Sequence, residues 1–389
     1  MKKICECGVC GKNSFESLWH LPGLPLTERF GKYDPSLKLS FDQDLYICTH
    51  CGHIQLGYQM DPTVLYTPGE YAFRTAQSQT ATRGSETFLI FFKKVAGNRT
   101  FKSLLDVGGN DRYLCKRLEN EIPERTVIDP VCCEDDGKIL EGVRVIGRLV
   151  ETLDLRKEMT PPDLVFCRHT LEHISSPRNF CRQMIEQSDS RALFIFEIPS
   201  LEGIYDSLRF ETVFHQHSQY FDQERLAKLM QEVGGRLIDM WVDPTGFGGG
   251  VHYFAFEKGT QTTEKTMGIS ERKEIFQKKL QLFKQQSSLI RHLLEAAPEP
   301  IYGYGASLML AMVAYHWEYD FSKMTAVLDD SPEKQDWGYQ NVPVRVQCPS
   351  LESPRDNATM VVTSIENTRA ISKAAQRFSP KRLITSITS

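Results

Sequence analysis

The sequence lacks a long apolar run. No stretch approaches the roughly 18 apolar residues that a membrane-spanning helix needs. Its first residues, MKKICECGVC, also lack the apolar segment of a secretory signal peptide. We therefore expect a cytoplasmic protein without a membrane partner.

An excess of positive charge is absent as well. The chain carries 46 Lys and Arg residues against 50 Asp and Glu residues, which gives a formal net charge of -4. Such a surface offers no basic field that would attract a phosphate backbone. We therefore expect no nucleic-acid partner.

The length and composition are those of a multidomain globular protein. With 389 residues the chain exceeds what one hydrophobic core usually organises. Its 41% hydrophobic and 25% charged residues are ordinary values for a folded chain. We expect two or three domains in a monomer or a small homo-oligomer.

The cysteines predict a metal site and not a disulfide framework, because a reducing compartment is expected. Four of the 11 cysteines form two C-x-x-C knuckles, Cys7 and Cys10 in CGVCG and Cys48 and Cys51 in CTHCG. Each knuckle lets two thiolates approach one ion from a tight turn. Four cysteines leave no position for water, so we expect a structural zinc ion.

Other potential ligands lie close to these knuckles in sequence. Cys5 could displace Cys7, and His50 and His53 are spare donors. The remaining cysteines are interpreted as small core residues.

The stretch FKSLLDVGGNDRYLCKRL from Phe101 predicts a strand, a glycine turn and a helix. TVIDP, PDLVFCRHTLEHI and RALFIFEIP predict further strands in the same region. This succession indicates an α/β fold, a doubly wound parallel sheet with its ligand at the carboxyl ends of the strands. Candidate contacts to a nucleoside cofactor are Asp106, Gly108, Gly109, Asn110, Asp129, Arg168 and His169.

The acid Asp129 follows the second strand, where it could accept hydrogen bonds from a ribose. DVGGN lacks the full G-x-G-x-x-G spacing of a dinucleotide site. This difference favours a nucleoside without a pyrophosphate, such as S-adenosylmethionine. A glycine turn that serves only close packing of strand and helix remains an alternative.

A second nucleotide-type region follows a long predicted helix, ERKEIFQKKLQLFKQQSSLIRHLLEAA. EPIYGYGASLMLAMVAYHW predicts a strand, a glycine turn and a helix, and we expect Gly303 and Gly305 to open that helix. Its N-terminus could hold an anion such as a diphosphate, although a pure scaffold is an alternative. The predicted domains are 1–60, 61–262 and 263–389.

The stretch VFHQHSQYF places His215 and His217 two residues apart. In an extended chain both imidazoles would face the same side, and histidine accepts protons readily near neutral pH. Either of them, or neither, could act in catalysis.

The order of these parts resembles the sugar C-methyltransferase family of nucleotide-sugar biosynthesis. The two cysteine knuckles, DVGGND, CRHTLEHI, FHQHSQYF, and GYGAS with LDDSPEKQ occur in the family's order. The resemblance implies a class I methyltransferase sheet between an N-terminal zinc-binding domain and a C-terminal Rossmann-like domain. It also implies S-adenosylmethionine as cofactor and methylation of a nucleotide-linked 4-keto deoxysugar at C3 through an enolate.

The resemblance places the base on His217 and further active-site roles on His173 and Tyr71. Gln216 stands where the family has glutamate, Phe214 where it has tyrosine, and Arg112 where the donor loop usually ends in glycine. Gln216 can orient a histidine but cannot supply a negative charge. The candidate contacts to the nucleotide sugar are Phe214, Gly303, Tyr304, Gly305, Ser307 and Lys334.

These departures leave other functions open. An oxygen or nitrogen acceptor needs less activation than carbon and would tolerate a weaker base. A homologue that binds the donor without catalysis is a second alternative. A two-domain NAD-dependent oxidoreductase is disfavoured, because GYGAS lacks the third glycine of a dinucleotide turn.

Overall fold

A computed structural model describes residues 1–27, 30–31, 39–65, 75–77, 79–260, 267–339, 341–349, 357–366 and 368–385. The chain divides into two compact units, each built from several segments. The first unit contains residues 1–19, 45–203 and 216–273, and the second contains residues 20–44, 204–215 and 274–389.

The strands are numbered in chain order. They are β1 Lys2–Lys3, β2 Phe15–Pro25, β3 Phe30–Gly31, β4 Ser40–Cys48, β5 Ile54–Leu56, β6 Tyr58–Gln59, β7 Ser103–Val107, β8 Glu124–Ile128, β9 Ile139–Leu140, β10 Val143–Ile146, β11 Leu164–Arg168, β12 Leu193–Pro199, β13 Gln219–Tyr220, β14 Gly235–Asp243, β15 Val251–Lys258, β16 Ile301–Tyr304, β17 Met324–Leu328, β18 Gly338–Tyr339, β19 Val346–Gln347, β20 Thr359–Val362 and β21 Arg382–Ile384.

The α-helices follow the same order. They are α1 Pro62–Leu65, α2 Gln79–Ala96, α3 Tyr113–Arg117, α4 Leu155–Glu158, α5 Pro177–Gln187, α6 Leu201–Ser207, α7 Gln223–Glu232, α8 Ile269–Glu295, α9 Leu310–Trp317 and α10 Thr368–Ala375. Within the described ranges, no helix is both long enough and apolar enough to cross a bilayer.

An eight-stranded sheet dominates the first unit, in the order β14-β15-β12-β11-β7-β8-β10-β9. The five strands from β12 to β10 are parallel, as the sequence predicts. β14, β15 and β9 run antiparallel to their neighbours, so the sheet is mixed and not wholly parallel. β15 fits beside β12 because its VHYFAFEK run is buried on both faces over most of its length.

Cores on both faces hold this sheet. The inner strand β7, SLLDV, is buried at every position, so its side chains alternate between the two cores. One core includes Phe88, Phe91 and Phe92 of α2, which meet the sheet through Phe166 and Tyr253. The other core includes the cysteine knuckles and residues of α5 and α7.

The second unit contains a five-stranded sheet in the order β19-β17-β16-β20-β21, with every pairing parallel. The predicted long helix is observed as α8. Its expected apolar positions are all buried: Phe276, Leu280, Phe283, Ile290 and Leu294.

Residues 20–44 are assigned to the second unit, although the sequence places them inside an N-terminal domain that ends at residue 60. The short strand β3 pairs with β18 in the same unit. Phe30 stacks on Tyr339 with ring centroids 4.7 Å apart and meets the edge of Trp337 at 5.1 Å. This aromatic contact explains the assignment, and no sequence periodicity signals it.

Candidate active site and zinc-binding site

The four predicted zinc ligands come together in the first unit. Cys7 Sγ lies 3.6 Å from Cys51 Sγ, and Cys10 Sγ lies 3.6 Å from Cys48 Sγ. All four sulfurs lie within 4.8 Å of one another. Sulfurs bound at about 2.3 Å to one tetrahedral zinc ion would be about 3.8 Å apart. The four side chains therefore fit a closed zinc site.

The two knuckles have the same backbone geometry. Gly11 N donates to Cys7 O at 2.9 Å, and Gly52 N donates to Cys48 O at 2.8 Å. Both glycines have positive φ, 70° and 76°, which explains why glycine follows each second cysteine. Hydrogen bonding with Cys10 lowers the pKa of Cys48, which favours a thiolate in the cluster.

The alternative zinc ligands lie outside the cluster. Cys5 is exposed, and its thiol contacts Lys3 O at 3.7 Å. His50 is exposed. His53 is buried, and its Nε2 lies 2.8 Å from Gln219 Oε1. The structure therefore favours Cys7 over Cys5.

The predicted donor turn lies at the carboxyl end of β7. Gly108 has φ 75°, and its N–H donates to Ile128 O at 2.8 Å. A Cβ atom on Gly108 would lie 1.9 Å from Thr170 Oγ1, and one on Gly109 would lie 2.8 Å from Asp106 Oδ2. Glycine is thus required where this turn and the turn after β11 approach each other.

Asp106 fits a positively charged donor. The residue is 2% exposed, and burial raises the pKa of its carboxyl group to about 7. Its side chain contacts the thiol of Cys115 at 4.0 Å. A cationic group near this carboxyl would favour its ionised form. S-adenosylmethionine carries such groups, a sulfonium and an ammonium.

Asp129 organises the donor turn from the end of β8. Its Oδ2 accepts from Asn110 N at 2.9 Å, and its Oδ1 accepts from Val131 N at 2.9 Å. The predicted hydrogen bonds from Asp129 to ribose hydroxyls remain a prediction.

Arg168 and His169 belong to a buried charge network with Glu197. Arg168 pairs with Glu197 and donates to Ser85 Oγ at 2.7 Å. His169 Nε2 lies 3.0 Å from Glu197 Oε1. Burial opposes the charged form of His169, but Glu197 outweighs it and raises the pKa of His169 to about 9. Their predicted contacts to the cofactor remain a prediction.

His173 and His217 lie together, with ring centroids 5.0 Å apart in an edge-to-face arrangement. His173 Nδ1 lies 2.9 Å from Gln216 O. Because a carbonyl oxygen only accepts, Nδ1 carries the hydrogen, and the neutral ring presents a lone pair at Nε2. Burial lowers the pKa of His217 to about 3, so His217 is a neutral potential base at neutral pH.

Glu172 is a candidate site residue that the sequence did not single out. Its carboxylate lies with His173 and His217 in a group whose polar atoms are within 4.8 Å of one another. It is 2% exposed in a 3₁₀ turn, Leu171–His173. The signal was present in TLEHI, where the acid immediately precedes His173.

The other predicted catalytic positions have different surroundings. Gln216 contributes its backbone carbonyl to His173, and this contact involves no part of its side chain. His215 is buried in the second unit, with its Nε2 3.0 Å from Leu24 O. Phe214 is also buried in the second unit. Tyr71 lies outside the described residues.

The second glycine turn follows β16. Gly305 has φ 91°, and its N–H donates to Leu328 O at 2.8 Å. Lys334 Nζ donates to Ala306 O and to Asp329 Oδ2, both at 3.1 Å. Tyr304 donates to Asp330 Oδ2 at 2.7 Å.

The expectation that Gly303 and Gly305 open the following helix is wrong in detail. α9 begins at Leu310, and residues 306–309 separate it from the glycine turn. Ser307 lies in this connection, where its Oγ accepts from Met309 N at 3.3 Å.

Comparison with known proteins identifies the two domain types. Residues 79–239 match a family model described as a methyltransferase domain. The chain carries a methyltransferase domain. Residues 7–66 match a model of a zinc binding domain, and this range contains all four clustered cysteines. Two of the predicted domain types, the zinc-binding and the methyltransferase domain, are thereby confirmed, with zinc and S-adenosylmethionine as their cofactors.

The chain is also similar to an individual C-methyltransferase. It is 22% identical over 247 residues to the C-methyltransferase NovU of Streptomyces niveus. The match covers 62% of this chain and 58% of NovU, which is less than two thirds of the relative's length. This match confirms the predicted resemblance to a C-methyltransferase.

Solved methyltransferase structures resemble part of the chain. The N-methyltransferase NodS from Bradyrhizobium japonicum WM9, in complex with S-adenosyl-L-homocysteine, is 10% identical with a TM-score of 0.37, covering 48% of this chain and 91% of NodS. An S-adenosylmethionine-dependent methyltransferase from Clostridium acetobutylicum is 13% identical with a TM-score of 0.37, covering 47% of this chain and 94% of that protein.

Proposed function

We propose that the protein transfers a methyl group from S-adenosylmethionine to C3 of a nucleotide-linked 4-keto deoxysugar, with His217 as the base. The observation that carries this proposal is the pairing of His217 with His173 in the methyltransferase unit. The turn that contains His173 begins next to Thr170, which meets the glycine turn at Gly108. The similarity to the C-methyltransferase NovU supports carbon as the accepting atom.

In the proposed reaction, His217 removes the proton at C3, which the neighbouring ketone makes acidic. The electron pair of the broken C3–H bond delocalises onto the ketone oxygen as an enolate. S-adenosylmethionine, when bound, would supply the electrophilic methyl group for C3, and the electron pair of the broken sulfur–methyl bond would stay on sulfur, so that S-adenosyl-L-homocysteine leaves. The proton stays on His217 until it passes to solvent.

His173 is proposed to stabilise the enolate oxygen. Its Nδ1–H is already used by Gln216 O, so it can donate to a second acceptor only from a protonated Nε2. Turnover then requires a protonated His173 and a neutral His217. Tyr71, outside the described residues, is a second proposed donor.

The nucleotide is proposed to bind the second unit at Gly303, Tyr304, Gly305, Ser307 and Lys334. Gly305 adopts a positive φ, which glycine does without strain, and a phosphate is proposed to approach the backbone of this turn. The division into 1–60, 61–262 and 263–389 is retained as a proposal for the functional domains. No disulfide bond joins any of the described cysteines, in keeping with a proposed cytoplasmic setting.

The test is to incubate the purified protein with labelled donor and a panel of nucleotide-linked hexoses, each offered as the 4-keto sugar and as its reduced alcohol. The proposal expects a mass gain of one methyl group with a keto sugar only, located on carbon by NMR. Equal methylation of the alcohols would identify an oxygen acceptor. Methylation of an amino sugar would identify nitrogen, and donor binding without turnover on the whole panel would indicate lost catalysis.

A further inference from the structure

Glu172 is a buried carboxylate with an unusual set of neighbours. Its Oε1 lies 3.5 Å from His169 Nδ1 and 4.0 Å from His173 Nε2. In the described part of the chain, neither carboxylate oxygen accepts a hydrogen bond, although the residue is only 2% exposed. A buried carboxylate in this situation is stabilised chiefly by positive charge nearby.

The titratable groups around Glu172 come from three segments. His169 lies at the end of β11, His173 lies in the same 3₁₀ turn, and His217 precedes β13. For His217, the imidazoles of His173 and His169 disfavour the protonated form, and Glu172 is the group that favours it. The Glu172 carboxylate is therefore close enough to stabilise the positive charge when the imidazole pair gains a proton.

The proposed reaction creates such a charge. His217 must hold the proton from C3, and His173 must be protonated to donate from Nε2. The adjacent position, Gln216, offers no carboxylate and contacts His173 through its carbonyl oxygen. A negative group from another segment is needed in its place.

We propose that Glu172 is the positioning residue that stabilises positive charge on the His173–His217 pair, the role that Gln216 cannot perform. This inference rests on the proposed function for its catalytic consequence. It also makes a prediction about the resting protein that is independent of any substrate, because Glu172 should favour protonation of the imidazoles there as well.

A divalent cation is the other occupant that two imidazoles and a carboxylate could share. His169 argues against it. Glu197 holds His169 in its cationic form, 3.5 Å from the same carboxylate oxygen. A positive charge at this distance would repel a divalent metal ion more strongly than a single proton on the pair.

The first experiment measures protonation without substrate. Histidine-labelled protein is titrated by NMR, with the two signals assigned through His173→Gln and His217→Gln. Glu172→Gln should lower the apparent pKa of the pair by about one unit or more. Glu151→Gln, which removes a carboxylate that contacts Ser175 in the segment after the turn, should leave it unchanged. An unchanged pKa in Glu172→Gln would overturn the proposal.

The second experiment measures catalysis as a function of pH. Glu172→Gln should lower kcat about tenfold or more and displace the active pH range to lower pH, because the base His217 then loses its proton, and the donor His173 loses its own, at lower pH. The double variant Glu172→Gln with Gln216→Glu should recover part of both the rate and the pH profile, because the charge returns at the neighbouring segment. A purely structural role for Glu172 predicts no such rescue.

Two controls separate the other outcomes. Metal analysis should give one zinc ion per chain. A second metal ion that is lost in Glu172→Gln would overturn the proposal and indicate that the two imidazoles and the carboxylate bind a metal ion. If Glu172→Gln does not fold, Glu172→Asp is titrated in its place. Its shorter side chain should lower the apparent pKa of the His173–His217 pair below the parental value, and an unchanged pKa would overturn the proposal. Absence of C3 deuterium exchange in the parent would contradict the proposed function alone, since the NMR comparison would still test Glu172.

Discussion

Asp129 and Asp329 make the same two backbone contacts in different units of the chain. Asp129 accepts from Asn110 N and Val131 N, and Asp329 accepts from Ala306 N and Ser331 N, all at 2.8 to 3.0 Å. Each carboxylate thus joins the turn after one strand to the segment after the next strand. The difference is Lys334, which adds an ammonium contact to Asp329.

This pair offers a matched test of the donor site. Asp129→Ala should weaken S-adenosylmethionine binding by about 1.5 to 3 kcal/mol, because a charged hydrogen bond to the ribose is lost. Asp329→Ala should leave that affinity unchanged. Titration calorimetry measures both, and equal losses in the two variants would indicate general destabilisation instead.

The zinc cluster should be required for folding. Cys48→Ser should lose the metal and lower the melting temperature, since the binding free energy of a structural zinc ion is folding free energy. Cys5→Ser is the control, because Cys5 is exposed and outside the cluster. Metal analysis with thermal melting decides the matter, and zinc retained in Cys48→Ser would contradict the four-cysteine site.

The two histidines of FHQHSQYF should separate by function. His217→Ala should lower kcat about 100-fold or more with little change in donor affinity, because a positioned base is lost. His215→Ala should chiefly lower stability, because its buried ring contacts Leu24 O. Steady-state kinetics and melting of both variants check this, and normal turnover of His217→Ala would remove His217 from the mechanism.

Acid should destabilise the fold through His252. This residue is 0% exposed beside Ser200, and burial lowers its pKa to about 4. Below its unfolded pKa of about 6.5, the unfolded chain binds a proton that the folded chain rejects. Stability is therefore fully present above pH 6.5 and falls toward pH 4, by up to about 1.4 kcal/mol per pH unit from this residue.

His252→Asn should remove this part of the pH dependence. His292→Asn, at an exposed position, is the control and should retain it. Denaturant unfolding between pH 7 and pH 4 gives the slope of the free energy of unfolding against pH for each protein. Parallel curves for the parent and His252→Asn would contradict the assignment.

Local patterns predicted much of the fold. The strand and glycine signals of SLLDVGG and IYGYG identified β7 and β16, and the apolar spacing identified the buried face of α8. The antiparallel strands β14 and β15 and the aromatic contact of Phe30 depend on distant segments. Such tertiary contacts leave no periodic trace in the sequence.

The candidate site was predictable where its residues belong to short motifs. The cysteine knuckles and the donor turn were identified in this way, whereas the choice of His173 and His217 came from the resemblance to the sugar C-methyltransferase family. Glu172 was missed because its importance arises from three segments that meet in the fold. Gln216, whose side chain was expected to assist the base, contacts His173 through its main-chain carbonyl oxygen, a contact that residue type does not predict.

The most direct test of the central claim is deuterium exchange at C3. A nucleotide-linked 4-keto deoxysugar is incubated in D₂O with the protein and S-adenosyl-L-homocysteine, which carries no transferable methyl group, and C3 is followed by NMR. The account predicts enzyme-dependent deuterium at C3 in the parent and loss of that exchange in His217→Ala. Methyl transfer to the same sugar without any exchange at C3, or undiminished exchange in His217→Ala, would contradict it.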